Sequence, residues 1–383
     1  MSQGPAVDEP PADQKVEDDI DMKRALMKSL VVASALALAL TACGGDDDNA
    51  SSSTSSPTAS GAVDYASLSG DIKGSGATFP DAFYQAVIEK FADAAPNLNV
   101  TYNAVGSGTG KEEFGQGITD FAGTDSLVKE GDGPAAGSYL YVPTVAAPIT
   151  VSYNLSGVSE LKLSPETLAG IFQSDIKKWN DPKIAADNSG VTLPSTAITV
   201  VHRSDGSGTT NNFTKYLDAA SNGVWKLGSG DEVAWAASTQ GGEKNAGVAQ
   251  LVKQTDGGIG YVDLSDAKES GLTFASIKNK DGNFIQPTLD GATAALEGAQ
   301  VSADLTYNPL NAPGPDAYPI TAPTYILVKP KYDDTNTGKA VKGFVNYVLT
   351  DGQALAESVN FAKLPASLQQ KALAQLDKIE GAG

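Results

Sequence analysis

The sequence predicts an α/β protein of two lobes, and three observations carry that prediction. From about Ser69 onward, short β-branched runs alternate with segments of helical periodicity. Three strand-to-helix turns share nearly the same Gly-Ser-Gly letters. The roughly 315 residues from Ser69 to the C-terminus are more than one hydrophobic core usually organises. The chain of 383 residues is 41% hydrophobic and 19% charged, an ordinary globular balance.

The N-terminus reads as an address ahead of the fold. Residues 1–21 carry a net charge of −6 without apolar periodicity, which predicts a disordered extension. Residues 22–42 have the form of a secretory signal: Met22-Lys23-Arg24 and Met27-Lys28 supply a basic start, and Ser29 to Leu40 is apolar and small. That run is too short for a membrane span, which needs about 20 residues. It ends in Leu40-Thr41-Ala42-Cys43, which resembles the lipobox of bacterial lipoproteins. The resemblance implies cleavage before Cys43 and a diacylglyceryl group on its thiol; an ordinary signal with an incidental Cys is the alternative. An acidic stretch ahead of a signal is unusual, so translation is expected to start at Met22 or Met27. Residues 43–68 are expected to be a flexible tether, because Gly44 to Ser60 is rich in Gly, Asp, Ser and Thr with nothing to bury.

Helices are expected at Pro80–Phe91, with Phe83, Val87 and Phe91 on one face, and at Pro165–Phe172, where Ser164 caps and Pro165 takes the first position. Others are expected at Asn211–Ala219, Ala246–Lys253, Lys339–Thr350 and Ser367–Ile379. Strands are expected at Asn99–Asn103, Ile149–Tyr153, Ile198–His202, Ile259–Val262 and Thr324–Val328.

Composition excludes several functions. The net charge of −19, or −16 once residues 1–42 are removed, opposes non-specific binding to nucleic acid or anionic membranes. A single Cys excludes an internal disulfide framework and multi-Cys zinc sites, and a single His makes any His-based triad depend on His202.

The three turns are Gly74-Ser75-Gly76-Ala77-Thr78-Phe79, Gly106-Ser107-Gly108-Thr109-Gly110 and Gly206-Ser207-Gly208-Thr209-Thr210. Glycines let the backbone curl so that several N–H groups point to one spot. Hydroxyls add donors, and a helix N-terminus adds unsatisfied N–H groups and a positive dipole end. Each turn could still be a plain helix cap. None completes a P-loop, because Val105 stands where the first Gly belongs and Glu112 follows Lys111. None completes a dinucleotide fingerprint, whose sixth position is Phe79, Lys111 or Asn211, and none has the hydrolase elbow G-x-S-x-G. Anion binding without nucleotide chemistry is what remains. Arg203, just before the third turn, could grip an oxyanion with its planar fork, or be a surface Arg paired with Asp205. Asp125 is either a loop carboxylate or, if it reaches the site, a selector for anions that carry a proton.

With these residues in view, the chain resembles the phosphate-binding protein family of bacterial phosphate ABC transporters, PstS. The matching strings are GSGATFP (74–80), YNAVGSGTGKEEF (102–114), DFAGTDSL (120–127), IFQSDIKKWNDP (171–182), VVHRSDGSGTTNNFTKYL (200–217), GGIGYVD (257–263) and YPITAPTYILV (318–328). The resemblance implies a periplasmic-binding-protein-like fold, with two α/β lobes joined by two crossings and phosphate in the cleft. One lobe would be 69–146 plus 319–383 and the other 147–318, with crossings near Thr144–Ala147 and Tyr318–Thr321. It implies phosphate ligands at Thr78, Phe79, Ser107, Asp125, Arg203, Ser207, Gly208 and Thr209. Asp125 would accept the anion's proton and Asp205 would position Arg203. His202, where the family often has a second Arg, is expected to be a strand residue without a contact. The implied partners are inorganic phosphate, the permease subunits and, through the lipid anchor, a membrane, on the periplasmic side or the cell surface. No cofactor, metal or nucleic acid is implied, and the protein would be a monomer. A binder of another oxyanion, a phosphate sensor and a phosphatase are the competing functions; Ser107 and Ser207 have no partner His in sequence context for the last.

Overall fold

The computed structural model describes residues 63–381. The acidic extension, the signal segment, Cys43 and the tether up to residue 62 lie outside the described residues. The expected end of the tether at residue 68 is too late. A single 3-10 turn, Tyr65–Ser67, precedes the first strand. The Tyr65 ring stands edge-on to Phe91 and Tyr347, at 5.6 and 5.4 Å, and its hydroxyl donates to Asn346 Oδ1 at 2.8 Å. Leu68 lies against Gly343, where a Cβ would come within 2.4 Å of Leu68 Cδ1. These side chains have apolar surface to bury, unlike those of the Gly44 to Ser60 stretch.

One lobe opens with β1 (Ser69–Gly76), α1 (Asp81–Ala94), β2 (Asn97–Ala104), α2 (Ser107–Gly115) and β3 (Phe121–Thr124). β1 pairs in parallel with both β2 and β3, so its neighbours are reached through helices. α1 buries Phe83, Tyr84, Val87 and Phe91 on the inward stripe that a 3.6-residue repeat requires.

β4 (Leu140–Asn154) then runs fifteen residues through the middle of the molecule. The second lobe follows with β5 (Lys162–Leu163), α3 (Pro165–Phe172), α4 (Pro182–Asp187), β6 (Thr199–Arg203), α5 (Gly208–Ala220), β7 (Gln240–Gly242), α6 (Lys244–Gln254) and β8 (Gly258–Asp263). It ends with α7 (Leu264–Glu269), β9 (Thr273–Phe274), β10 (Ser276–Lys278), β11 (Phe284–Ile285) and α8 (Leu289–Glu297). The chain returns through β12 (Thr321–Val328), and α9 (Thr335–Leu349) and α10 (Ala366–Gln375) complete the first lobe. The long sheet has the order β2-β1-β3-β12-β4-β8-β6-β7, with β9 beside β4, and β11-β10-β5 form a small second sheet. This is the two-lobed α/β fold expected from the sequence.

β4 changes partner midway. Residues Leu140 to Pro148 pair antiparallel with β12, and Ile149 to Asn154 pair antiparallel with β8. The register with β12 shifts between Thr324 and Tyr325, which face Val145 and Pro143 and leave Thr144 as the extra residue of a β-bulge. Only Ile149–Tyr153 was expected from the sequence, because Pro143, Ala146, Ala147 and Pro148 have low strand propensity. Burial on both faces overrides that local preference.

The expectation of separate cores is corrected. One apolar cluster runs along β4 from Phe91, Phe121 and Tyr325 through Val145 and Ile149 to Val151, Phe172 and Phe213. Helix ends also differ from expectation. α5 starts at Gly208 rather than Asn211, and α9 at Thr335 rather than Lys339, where the Asp334 carboxylate accepts the Asn336 and Thr337 N–H groups. α10 stops at Gln375, and a 3-10 turn, Leu376–Lys378, takes up most of the remainder.

The packing of Tyr65 and Leu68 makes a stability prediction. A chain starting at Ser69 should melt about 3 °C below one starting at Gly61, a loss of about 2 kcal/mol from partly buried aromatic and aliphatic contacts. Thermal unfolding followed by circular dichroism measures the difference; equal midpoints would show that these contacts contribute nothing.

Candidate anion-binding cleft

The second and third turns close on each other from the two lobes. The Gly108 N–H donates to the Gly206 carbonyl at 3.1 Å. Gly106, with φ of +96°, has the Gly206 carbonyl where a Cβ would sit, at 2.7 Å. A Cβ on Gly208 would stand 2.6 Å from Ser107 Oγ and 2.7 Å from Asp125 Cβ. These glycines therefore do more than free backbone N–H groups: they let the lobes meet at backbone distance.

The first turn differs from its letters. Gly74, Ser75 and Gly76 lie inside β1, paired with Phe121, Ala122 and Gly123 of β3. The turn itself is Ala77–Pro80, where the Ala77 N–H donates to the Gly123 carbonyl and the Ala77 carbonyl accepts the Tyr102 hydroxyl. That leaves Thr78 and Phe79 at the end of the strand, both buried. The Phe79 ring packs edge-on against Phe361 at 5.8 Å, so only its backbone is available to the cleft.

Arg203 ends β6 and is buried, not a surface side chain. Nε donates to Asp205 Oδ1 at 2.7 Å and Nη2 to Asp205 Oδ2 at 2.5 Å, while Nη1 donates to Asn245 Oδ1 at 3.0 Å and across the cleft to Thr78 Oγ1 at 3.1 Å. The planar fork thus meets Asp205 rather than lying open for an anion. Four of the five guanidinium hydrogens are committed within the protein, and an Nη2 hydrogen remains. Asn245 is fixed in turn, because its Nδ2 donates to Asp263 Oδ2 at 2.9 Å.

Asp125 follows β3 and meets Ser107: the Asp125 N–H donates to Ser107 Oγ at 3.3 Å, and that hydroxyl lies 3.4 Å from Asp125 Oδ2. The Asp125 carbonyl accepts Asn212 Nδ2 of α5 at 2.6 Å. Burial pushes the Asp125 carboxyl up to about 7, outweighing the neighbouring Thr324 hydroxyl and the positive charge of Arg203; Asp231 adds to the rise. Asp125 Oδ1 and Thr209 Oγ1 are both buried and have no partner among the described residues. Ser207 contributes less than expected, because its N–H donates to the Asp231 carbonyl and its Oγ accepts the Thr210 N–H as the cap of α5. Its hydroxyl hydrogen is what it has left to give.

The structure therefore brings Thr78, Ser107, Asp125, Arg203 and Gly208 together at one closed cleft, with Phe79, Ser207 and Thr209 as chain neighbours. An acceptor carboxylate among helix N-termini, hydroxyls and a guanidinium suits a tetrahedral oxyanion that carries a proton. His202 lies in β6 as expected, and it has contacts within the protein that the expectation lacked: its ring stacks on Trp235 at 4.7 Å and its Nδ1 lies 2.8 Å from the Arg203 carbonyl. Sequence reasoning missed Asn245, Asn212 and Asp231. Asn212 sits four residues after Gly208 and so on the same helix face, a detectable signal; the other two carry none.

Closure should respond to pH through Asp125. Its carboxyl is protonated up to about pH 7 when buried and only to about 4 when solvated, so the closed form is favoured at low pH and loses that advantage as pH rises through 7. In anion-free protein, small-angle scattering should show a smaller closed fraction at about pH 8 than at about pH 5. Asp125→Asn should flatten that change, with Asp263 and Asp266 common to both proteins; parallel profiles would rule out Asp125 as the source.

Residues 48–352 match the family described as the PBP superfamily domain. The phosphate-binding protein PstS3 of Mycobacterium bovis is 36% identical over 355 residues, covering 89% of this chain and 95% of its own, and PstS of Pasteurella multocida is 37% identical over 310 residues, covering 79% and 89%. Among solved structures, PfluDING, a high affinity periplasmic phosphate-binding protein bound with phosphate, superposes with a TM-score of 0.68 at 22% identity, covering 82% of this chain and 99% of its own. A phosphate-binding protein from Stenotrophomonas maltophilia gives 0.62 at 19%, covering 82% and 99%. Sequence and fold agree, and the chain belongs to the PBP superfamily, within the PstS family of phosphate-binding proteins.

Proposed function

We propose that this protein binds inorganic phosphate outside the cytoplasm and delivers it to an ABC permease for import. The observation that carries the reading is the buried, unpaired Asp125 Oδ1 in a cleft of donors. A phosphate near pH 7 carries at least one proton for that oxygen, and its other oxygens can take N–H groups of Thr78, Phe79, Ser107, Gly208 and Thr209, the hydroxyls of Thr78, Ser107, Ser207 and Thr209, and Arg203 Nη2. Asp205 holds the guanidinium in place. With a mature charge of −16, long-range attraction cannot supply affinity, so it comes from short hydrogen bonds in a cleft closed to water. The relatives named above are binding proteins, and the ring contacts of His202 lie with Trp235 and a backbone carbonyl, which gives a hydrolytic reading no support. The cleft is built from one chain, so a monomer suffices.

The lobe division follows the same reading. The change of partner along β4 at Pro148 and Ile149 supports crossings in β4 and at the start of β12, close to the expected 146/147 and 318/319 divisions. The lipobox-like setting of Cys43, ahead of about 20 polar and small residues, supports a lipid-anchored protein on the periplasmic side or the cell surface.

Calorimetric titration of residues 61–383 tests the function. At about pH 8, where Asp125 is ionised and phosphate still carries a proton, phosphate should bind at least about a hundredfold more tightly than sulfate, which offers no proton to Asp125 and meets its carboxylate without solvent screening. Equal affinities would overturn phosphate selectivity. In cells, Cys43→Ala should release the protein from the carbonate-washed membrane fraction while phosphate binding by the purified domain is unchanged; continued membrane retention would overturn the anchor.

A further inference from the structure

Lys111 and Asp231 form an ion pair that no part of the phosphate reading uses. Lys111 lies on α2, four residues after Ser107 and so on the same helix face, one turn behind the cleft. Its side chain is 1% exposed, and its Nζ donates to Asp231 Oδ2 at 2.8 Å and to Ser126 Oγ at 3.2 Å. Asp231 comes from the connection between α5 and β7 in the other lobe. It is fastened there twice: its carbonyl accepts the Ser207 N–H at 3.0 Å, and its Oδ1 accepts Asn211 Nδ2 at 2.8 Å. Asn211 stands four residues after Ser207, the mirror of the Lys111 arrangement. Across the cleft, Asp231 Oδ2 also accepts the Ser126 hydroxyl at 2.9 Å, from the residue beside Asp125. The Lys111 stem is covered by the chain at Gly133, where a Cβ would come within 2.9 Å of Lys111 Cβ.

We propose that Lys111 and Asp231 are positioning residues that form a latch across the cleft and set how slowly bound phosphate leaves. The proposal rests on the phosphate reading of the cleft. When the lobes part, Asp231 keeps its bonds to Ser207 and Asn211 and loses those to Lys111 and Ser126. The latch closes one helical turn behind both anion-facing N-termini without touching the anion. Removing one partner leaves the other charge buried and unpaired only when the lobes are shut, so the penalty falls on the closed state. Such a loss appears in the dissociation rate. Removing both charges avoids the unpaired ion.

Stopped-flow release and calorimetry on the 61–383 protein test this. Asp231→Asn should raise the phosphate dissociation rate by about tenfold or more, with the association rate changed less than about threefold. Adding Lys111→Met to Asp231→Asn should recover part of the lost residence time. A merely structural pair would lower the melting temperature of anion-free protein and leave release unchanged. Dissociation rates of the single and double variants within about twofold of wild type overturn the latch. Absence of phosphate binding by wild type would overturn the function reading instead. The latch would then stand or fall on the closed fraction of anion-free protein in small-angle scattering, which Asp231→Asn must lower.

Discussion

The cleft depends on how closely two glycine turns approach. The hydrogen bond from Gly108 to the Gly206 carbonyl needs a glycine at position 106, where a Cβ would come within 2.7 Å of that carbonyl, and is eased by the glycines at 108 and 206, where a Cβ would be tight. At that separation Arg203 of one lobe reaches Thr78 of the other, and Gly208 presses on Ser107 and Asp125. One methyl group at Gly208 would hold the lobes apart by more than a side chain can absorb, because the atoms it meets are a hydroxyl and a carboxylate already engaged with each other. Sterics thus set the position of closure, and hydrogen bonds decide whether it is reached.

Charge is managed pairwise inside that contact. Arg203 is neutralised by Asp205 and braced by Asn245, so a buried cation remains hydrogen-bonded whether or not an anion is present. Asp125 has no such carboxylate-binding fork, and the Arg203 charge and nearby hydroxyls offset only part of the cost of burying its ionised form, so its carboxyl is pushed up to about 7. The two groups lie in one cleft and are treated in opposite ways: one is fixed in its charge and the other is left able to change it.

Legibility varied with the locality of the cause. Pro165 at a helix start, the Phe83-Val87-Phe91 stripe and the glycine turns before α2 and α5 act within a few residues, and the sequence showed them. β4 was mostly hidden, because Pro143, Ala146 and Pro148 become strand only through burial between β12 and β8. The likeness of the GSG letters at 74–76 was misleading in part: there the glycines accommodate Phe121 and Gly123 of the neighbouring strand. Asn245 and Asp231 were invisible, because the partners that give them meaning are 42 and 120 residues away in the chain. The family resemblance implied a ligand set, and it said nothing about which N–H groups already have partners within the protein, as at Ser207.

The continuous β4 strand determines the mechanics of opening. Flexible linkers would let the lobes swivel freely, but here the connection is a hydrogen-bonded two-strand ribbon, β4 with β12, that enters the second lobe without a break. A ribbon of this kind is stiff within its plane and compliant only perpendicular to it, like a leaf spring. The bulge at Thr144 is pinned to the first lobe, with the Tyr84 hydroxyl 3.1 Å from Thr144 Oγ1 and the Thr144 carbonyl accepting Gln353 Nε2 at 2.8 Å, so bending is left to the stretch beyond it. The lobes therefore have one easy direction of travel, and each opening re-aligns the same faces on return.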